Sequence, residues 1–139
     1  MTVNAISLYE PWATAMRLWL KRNETRSFEP YSRLMNKPLL ICAAKKDTGE
    51  LRAIASELLP VGEGLHHGKA VALVRLVDVQ TSTEFALFSK RQSTEQELKW
   101  GDYSPGRYAW ITEPISLDFN PFPVIGRQGV FKVEFPYAL

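Results

Sequence analysis

Apolar residues recur along this chain with two different periods, and their succession predicts a mixed α+β fold. Ala5-Ile6-Ser7-Leu8-Tyr9 reads as a short strand. Glu10-Pro11 then punctuates the chain, and Pro11 suits the first position of a helix, where its missing N–H costs nothing. From Trp12 to about Lys21, the apolar residues Trp12, Met16, Trp19 and Leu20 fall at helical spacing, and Ala15 and Leu18 widen the stripe. On such a helix Arg17 and Lys21 share a flank, being four residues apart. Asn23 helps to end it.

The run Leu39-Leu40-Ile41-Cys42-Ala43-Ala44 after Pro38 predicts a buried strand. Asp47-Thr48-Gly49-Glu50 has the spacing of a capping box, with Leu51, Ile54 and Leu58 as the apolar face of the helix that follows. Pro60 and Gly62 stop that helix, and His66-His67 fall in a glycine-rich loop. Ala70–Val79 is apolar on both faces apart from Arg75 and Asp78, as expected of a strand covered on both sides. Residues 80–99 are polar, with a short helix around Thr94–Lys99. Beyond the turn Tyr103-Ser104-Pro105-Gly106, Arg107–Leu117 alternates, placing Tyr108, Trp110 and Thr112 on one side. Val130–Phe135 alternates as well. Strands separated by helices allow either a closed barrel or an open α+β sheet, and periodicity does not choose between them.

Composition narrows the class. A chain of 139 residues suits one domain over 1–139, able to bury roughly two-thirds of its unfolded surface. An apolar share of 45% argues against disorder. The lone Cys42 has no intramolecular disulfide partner, and the two histidines are adjacent, so a reducing compartment is expected and a zinc site is not. The N-terminal residues lack the pattern of a signal peptide, and no apolar run approaches the length of a membrane span; the expectation is a cytoplasmic protein. No phosphate-binding P-loop, dinucleotide glycine fingerprint, His-Glu-x-x-His motif or serine-centred nucleophile elbow occurs, which argues against kinases, NAD enzymes, zinc proteases and α/β-hydrolases. No cofactor is expected.

Charge is unevenly spread. Residues 1–46 carry eight Lys/Arg against three acids, whereas residues 47–139 carry nine against twelve. A basic N-terminal half suits a ligand bearing phosphate. The chemically informative cluster is Lys21-Arg22-Asn23-Glu24-Thr25-Arg26. If Glu24–Phe28 is extended, Glu24 and Arg26 project to one face and Thr25 to the other. Lysine, carboxylate and arginine then converge, able to hold an anion, fix a base edge or move a proton; an internal salt-bridge network is the competing use. Trp12, Tyr108 and Trp110 are rings that stack a base if they line a cleft and fill the core if they do not. Arg107 and Arg127, beside glycine turns, are candidates for a phosphate-binding rim.

The blocks Ser7-Leu8-x-x-Pro11-Trp12-Ala13, Lys21-x-x-Glu24-x-Arg26-Ser27-Phe28 and Leu39-Leu40-Ile41-x-Ala43-Ala44-Lys45 together resemble the N-terminal signature of ASCH domains, a branch of the PUA-like superfamily. The strand ending Leu76-Val77-Asp78, the block Tyr103–Trp110, Pro121-Phe122-Pro123 and Gly126-Arg127-Gln128-Gly129 resemble later blocks of its small single-domain members. The resemblance implies a PUA-like mixed β-barrel of about six strands with helices packed outside. It implies a ligand cleft between the barrel and the first helix, built from Ser7, Pro11, Trp12, Lys21, Glu24 and Arg26, with Tyr108 and Trp110 from a later strand. The implied function is binding of RNA or a modified nucleoside, with no membrane and no obligate protein partner.

Some members of the family are amidohydrolases that deacetylate N4-acetylcytidine, and ribonuclease activity is attributed to others; on those readings Lys21 and Glu24 are the catalytic pair. In the amidohydrolases a threonine stands three residues after the lysine and a glutamate comes from a distant segment. Here Glu24 occupies the threonine position, Glu84, Glu95 and Glu97 lie in the region of the distant carboxylate, and Trp19 stands where glycine is frequent.

Overall fold

The computed structural model describes residues 1–88 and 94–139. Its strands are β1 (Thr2–Leu8), β2 (Asn23–Arg26), β3 (Pro38–Ala43), β4 (Lys69–Thr81), β5 (Tyr108–Ser116), β6 (Phe122–Pro123) and β7 (Phe131–Glu134). Its helices are α1 (Trp12–Arg17), α2 (Gly49–Leu58), α3 (Ser82–Phe88) and α4 (Thr94–Trp100), with a 3-10 turn at Ser32–Leu34.

All seven strands join one mixed sheet in the order β2-β5-β4-β3-β1-β7, with β6 pairing β4 off that path. β1 and β3 run parallel, Ile6 opposite Ile41, and the other pairings are antiparallel. Period-two alternation divides the apolar strands between two cores. Ile6, Leu8, Leu39 and Ile41 pack on one face with Ala13 and Met16 of α1, while Val3, Ala5, Leu40 and Cys42 pack on the other with Phe119, Phe131 and Phe135. This two-sided burial accounts for the unbroken apolar runs in β3 and β4. β4 changes register against β5 at Leu73/Val74 and at Leu76/Asp78; such irregularities bend a strand and sharpen its twist.

The expectation of a β-barrel is overturned: the sheet is curved but open. β2 and β7 form the two ends of the strand path, each four residues long and paired with a single neighbour. β7 pairs with β1 only from Thr2 to Ala5, so among the described residues that edge of β1 beyond Ala5 carries no strand partner. What reaches it from β2 is a side chain, the Arg26 guanidinium, which donates from Nη2 to the Ser7 carbonyl at 3.4 Å. The α+β class and the mixed strand directions stand; closure does not.

The first helix is shorter than its periodicity predicts. Leu20 N–H bonds back to Ala15 O at 2.9 Å and Trp19 N–H to Met16 O at 3.1 Å, the bond pair of a Schellman ending. Trp19 occupies the left-handed position with φ 59°. A glycine suits that position because it lacks the Cβ that makes left-handed backbone costly. Arg17 and Lys21 therefore do not share a helix flank. Arg17 turns instead to the carbonyls of Val71 and Phe119, 2.9 Å from each. At the other end of α1 the buried Glu10 carboxylate accepts from Thr14 N–H, Thr14 Oγ1 and His66 N–H, which pins the 60–68 loop to the start of the helix. Thr48 caps α2 by accepting from Leu51 N–H at 3.2 Å.

No helix among the described residues is long and apolar enough to cross a membrane.

Candidate functional site

The abrupt end of α1 is what sets Lys21 in place. The chain turns back on itself after Trp19, and Lys21 enters the interior instead of the solvent-facing flank of a longer helix. Its side chain is 98% buried, and its ammonium donates to the carbonyls of Asn23 at 2.6 Å and Trp100 at 3.1 Å. Glu24 Oε1 lies 3.3 Å from the same nitrogen. A buried ammonium is tolerated only with such compensation.

β2 supplies the other two charges by alternation. Glu24 and Arg26 lie on one face, with Glu24 Oε2 3.2 Å from Arg26 Nη2, so the carboxylate bridges two cations. Glu24 Oε1 also accepts from Thr25 N–H at 3.1 Å. Thr25 points the other way, toward the end of α4, where its Oγ1 accepts from Asp102 N–H.

Above this trio opens a cleft of about 520 Å³, bordered by Ser7, Trp12, Lys21, Glu24, Lys99 and Arg107 among others. A second depression of about 580 Å³ adjoins it and shares Ser7 and Tyr9. Arg26, Lys45 and the turn Gly126–Gly129 form its walls. Tyr9 stands at the junction of the two, half exposed, with Lys46 Nζ 4.9 Å from its ring centre.

The structure thus brings Ser7, Trp12, Lys21 and Glu24 to one cleft and Arg26 to its neighbour. Pro11 is buried at the start of α1 and lines neither depression. Tyr108 and Trp110 also line neither. Trp110 is 1% exposed, donates Nε1–H to the Phe28 carbonyl at 3.1 Å and lies edge-on to the Phe28 ring. Alternation correctly groups Tyr108 with Trp110, and the register sets them opposite Arg26 and Glu24 on one face of the sheet, but their rings pack with the apolar core there. Trp110 is therefore a core ring, with the Arg26 guanidinium 5.8 Å from its centre.

Two groups near the site carry no motif. Glu97, on α4, is 2% exposed and accepts from the Arg22 backbone N–H at 2.6 Å, with Tyr103 OH 3.4 Å from its second oxygen. Burial pushes its carboxyl pKa up, opposed by the Arg22 and Asn23 amides and the charge of Lys21. Burial, followed by the charge of Glu97, raises that of the Tyr103 phenol. Glu97 is one of three glutamates that composition leaves equivalent; its contact with Arg22 is made by folding alone. Tyr9 has a faint signal in sequence, a ring at the end of a strand just before Glu10-Pro11.

Arg107 borders the cleft but is engaged, donating to the carbonyls of Asp102 and Thr25 at 3.1 Å each. Cys42 is buried, its thiol pushed up to about 12 by desolvation, so it is inert. Among the described residues no three His, Cys, Asp or Glu side chains gather as a metal site.

The open mixed sheet with a cleft beside its first helix is a known architecture. No family model matches the chain, and no curated protein sequence matches it. Among solved structures, a point mutant of the ASCH protein from Zymomonas mobilis superposes with a TM-score of 0.53 at 14% identity, over 94% of this chain and 89% of the other. The crystal structure of ASCH from the same organism gives 0.49 at 16% identity, over 94% and 87%. The chain has the fold of an ASCH protein.

Proposed function

We propose that the cleft beside Trp12 binds RNA or a modified nucleoside, with Arg26 and Glu24 meeting the polar edge of a base and Trp12 or Tyr9 stacking on its ring. The observation that carries this reading is the Lys21–Glu24–Arg26 network, which reaches from the floor of the cleft edged by the Trp12 indole into the depression that adjoins it. Base–aromatic stacking contributes about 1–3 kcal/mol per base, and a carboxylate beside a guanidinium offers both acceptor and donor to a base edge. A cytoplasmic setting accords with a lone, inert cysteine.

Hydrolysis of an N4-acylated cytidine, or of RNA, is the second reading, favoured by the 3.3 Å contact of Lys21 with Glu24 facing the cleft. Two features weigh toward binding. The Lys21 ammonium already has three oxygens around it, leaving it no N–H for an oxyanion. Glu24 already has an oxygen in contact with each of two cations, Lys21 and Arg26, so both its oxygens are engaged within the fold.

One pair of assays separates the readings. Short single-stranded RNAs and nucleosides, including N4-acetylcytidine, are titrated against the protein by tryptophan fluorescence at two salt concentrations. The same nucleoside is incubated with protein and chromatographed for cytidine. Saturable binding that weakens for RNA at higher salt, with no cytidine formed, supports the binding reading. Cytidine formation lost in Glu24→Gln replaces it with hydrolysis. Absence of binding to every probe overturns it.

A further inference from the structure

The depression beside the cleft differs from it in charge and in what its polar atoms lack. Three cations line it, Arg26, Lys45 and Arg127, and no carboxylate does. The Ser7 hydroxyl oxygen and Arg26 Nε are buried there with no hydrogen-bond partner. Buried polar atoms without partners are rare in folded proteins, and a donor pair beside a cationic rim is matched by an oxyanion. Neither Lys45 nor Arg127 makes an ion pair or hydrogen bond within the described residues. Gly126 completes the cradle: a Cβ there would lie 3.1 Å from Ser7 Oγ, so a side chain would intrude on the hydroxyl.

We infer that this depression is a phosphate subsite, and that the ligand of the adjoining cleft is therefore a nucleotide or a phosphodiester-linked RNA residue rather than a free nucleoside. Resting on the cleft reading above, the inference adds the group that the second depression takes. Ser7 and Tyr9, common to both depressions, mark where base and phosphate ends of one ligand meet. A guanidinium Nε–H, a hydroxyl and two exposed cations suit the tetrahedral oxygens of phosphate, and the open rim admits either a terminal monoester or an internal diester.

The test is calorimetric. Each common nucleoside and N4-acetylcytidine is compared with its 5′- and 3′-monophosphate, alongside a dinucleotide and inorganic phosphate. At least one monophosphate or the dinucleotide is expected to bind tenfold or more tighter than its nucleoside, with phosphate as a weak competitor. In Lys45→Ala/Arg127→Ala, and separately in Gly126→Val, that affinity ratio falls toward one. Gain confined to the dinucleotide identifies an internal phosphodiester, and gain confined to a monophosphate identifies a terminal group. Nucleosides that bind as tightly as their phosphates overturn the subsite while leaving the cleft reading intact. A ratio unmoved in both variants also overturns it. Failure of all these probes to bind overturns both.

Discussion

Two depressions meet at Ser7, one floored by buried charges that satisfy one another and one walled by buried polar atoms without partners. In the cleft, Lys21, Glu24 and Arg26 neutralise one another, and two backbone carbonyls complete the shell of the lysine. Next to it, Ser7 Oγ and Arg26 Nε have no partner, and Lys45 and Arg127 stand at an exposed rim. The difference teaches which residues hold the fold and which are available to a ligand. Lys21, the covered member of the network, is chiefly a positioning device that fixes β2 against the ends of α1 and α4, while Glu24 and Arg26 keep part of their surface toward a ligand. Exposed cations without partners cost the fold little to keep and little to lose.

Lys21→Ala should give the largest effect, because it leaves two interior carbonyls without their donor and takes from Glu24 one of its two cations. Breaking a buried pair in this way costs about 3–5 kcal/mol, to be read as a fall in unfolding free energy in urea. Arg127→Ala should lie within about 0.5 kcal/mol of the parent in the same experiment. Comparable losses in the two variants would remove the distinction between network and rim.

Trp19 sharpens the account of how Lys21 is placed. Trp19→Ala and Trp19→Gly both lose the indole, but only glycine relieves the left-handed backbone. Trp19→Gly should therefore be the more stable of the two by about 1 kcal/mol, measured by thermal or denaturant unfolding. The opposite order would mean that the helix ending is not set by that conformation.

The smallest effect concerns pH. The carboxyl pKa of Glu97 is raised in the folded chain, chiefly by desolvation, so the native state binds its proton more readily than the unfolded state does. Its contribution is then most favourable below the ordinary value of 4.5 and declines as pH rises through the raised folded value. Relative to Glu97→Gln, the parent should lose stability across that interval and stay level above it. A gain with rising pH would mean that the Arg22 amide and the Lys21 charge outweigh burial.

Much of this was legible in the chain. The apolar runs of β3 and β4 mark two-sided burial, and period-two alternation alone puts Glu24 with Arg26 and turns Thr25 away. Other features depend on distant partners. The helical stripe continues through Trp19 and Leu20, yet the helix stops because a Schellman turn forms there, which no glycine announces. Alternation places Tyr108 and Trp110 together without saying whether their rings are covered. Barrel closure depends on whether two short end strands meet, a long-range matter on which local pattern is silent. Glu97 becomes distinct from Glu95 only when α4 packs against residues 21–23.

The most direct measurement of the central claim is amide and indole NMR mapping of the protein titrated with a short single-stranded RNA and with N4-acetylcytidine. The expected result is a contiguous set of shift changes centred on the Trp12 indole, Glu24 and Arg26, extending to Gly126 when the ligand carries phosphate, and absent from α2 and β7. Saturable shifts centred on α2, or on any surface away from Ser7, would contradict the assignment of this cleft as the ligand site.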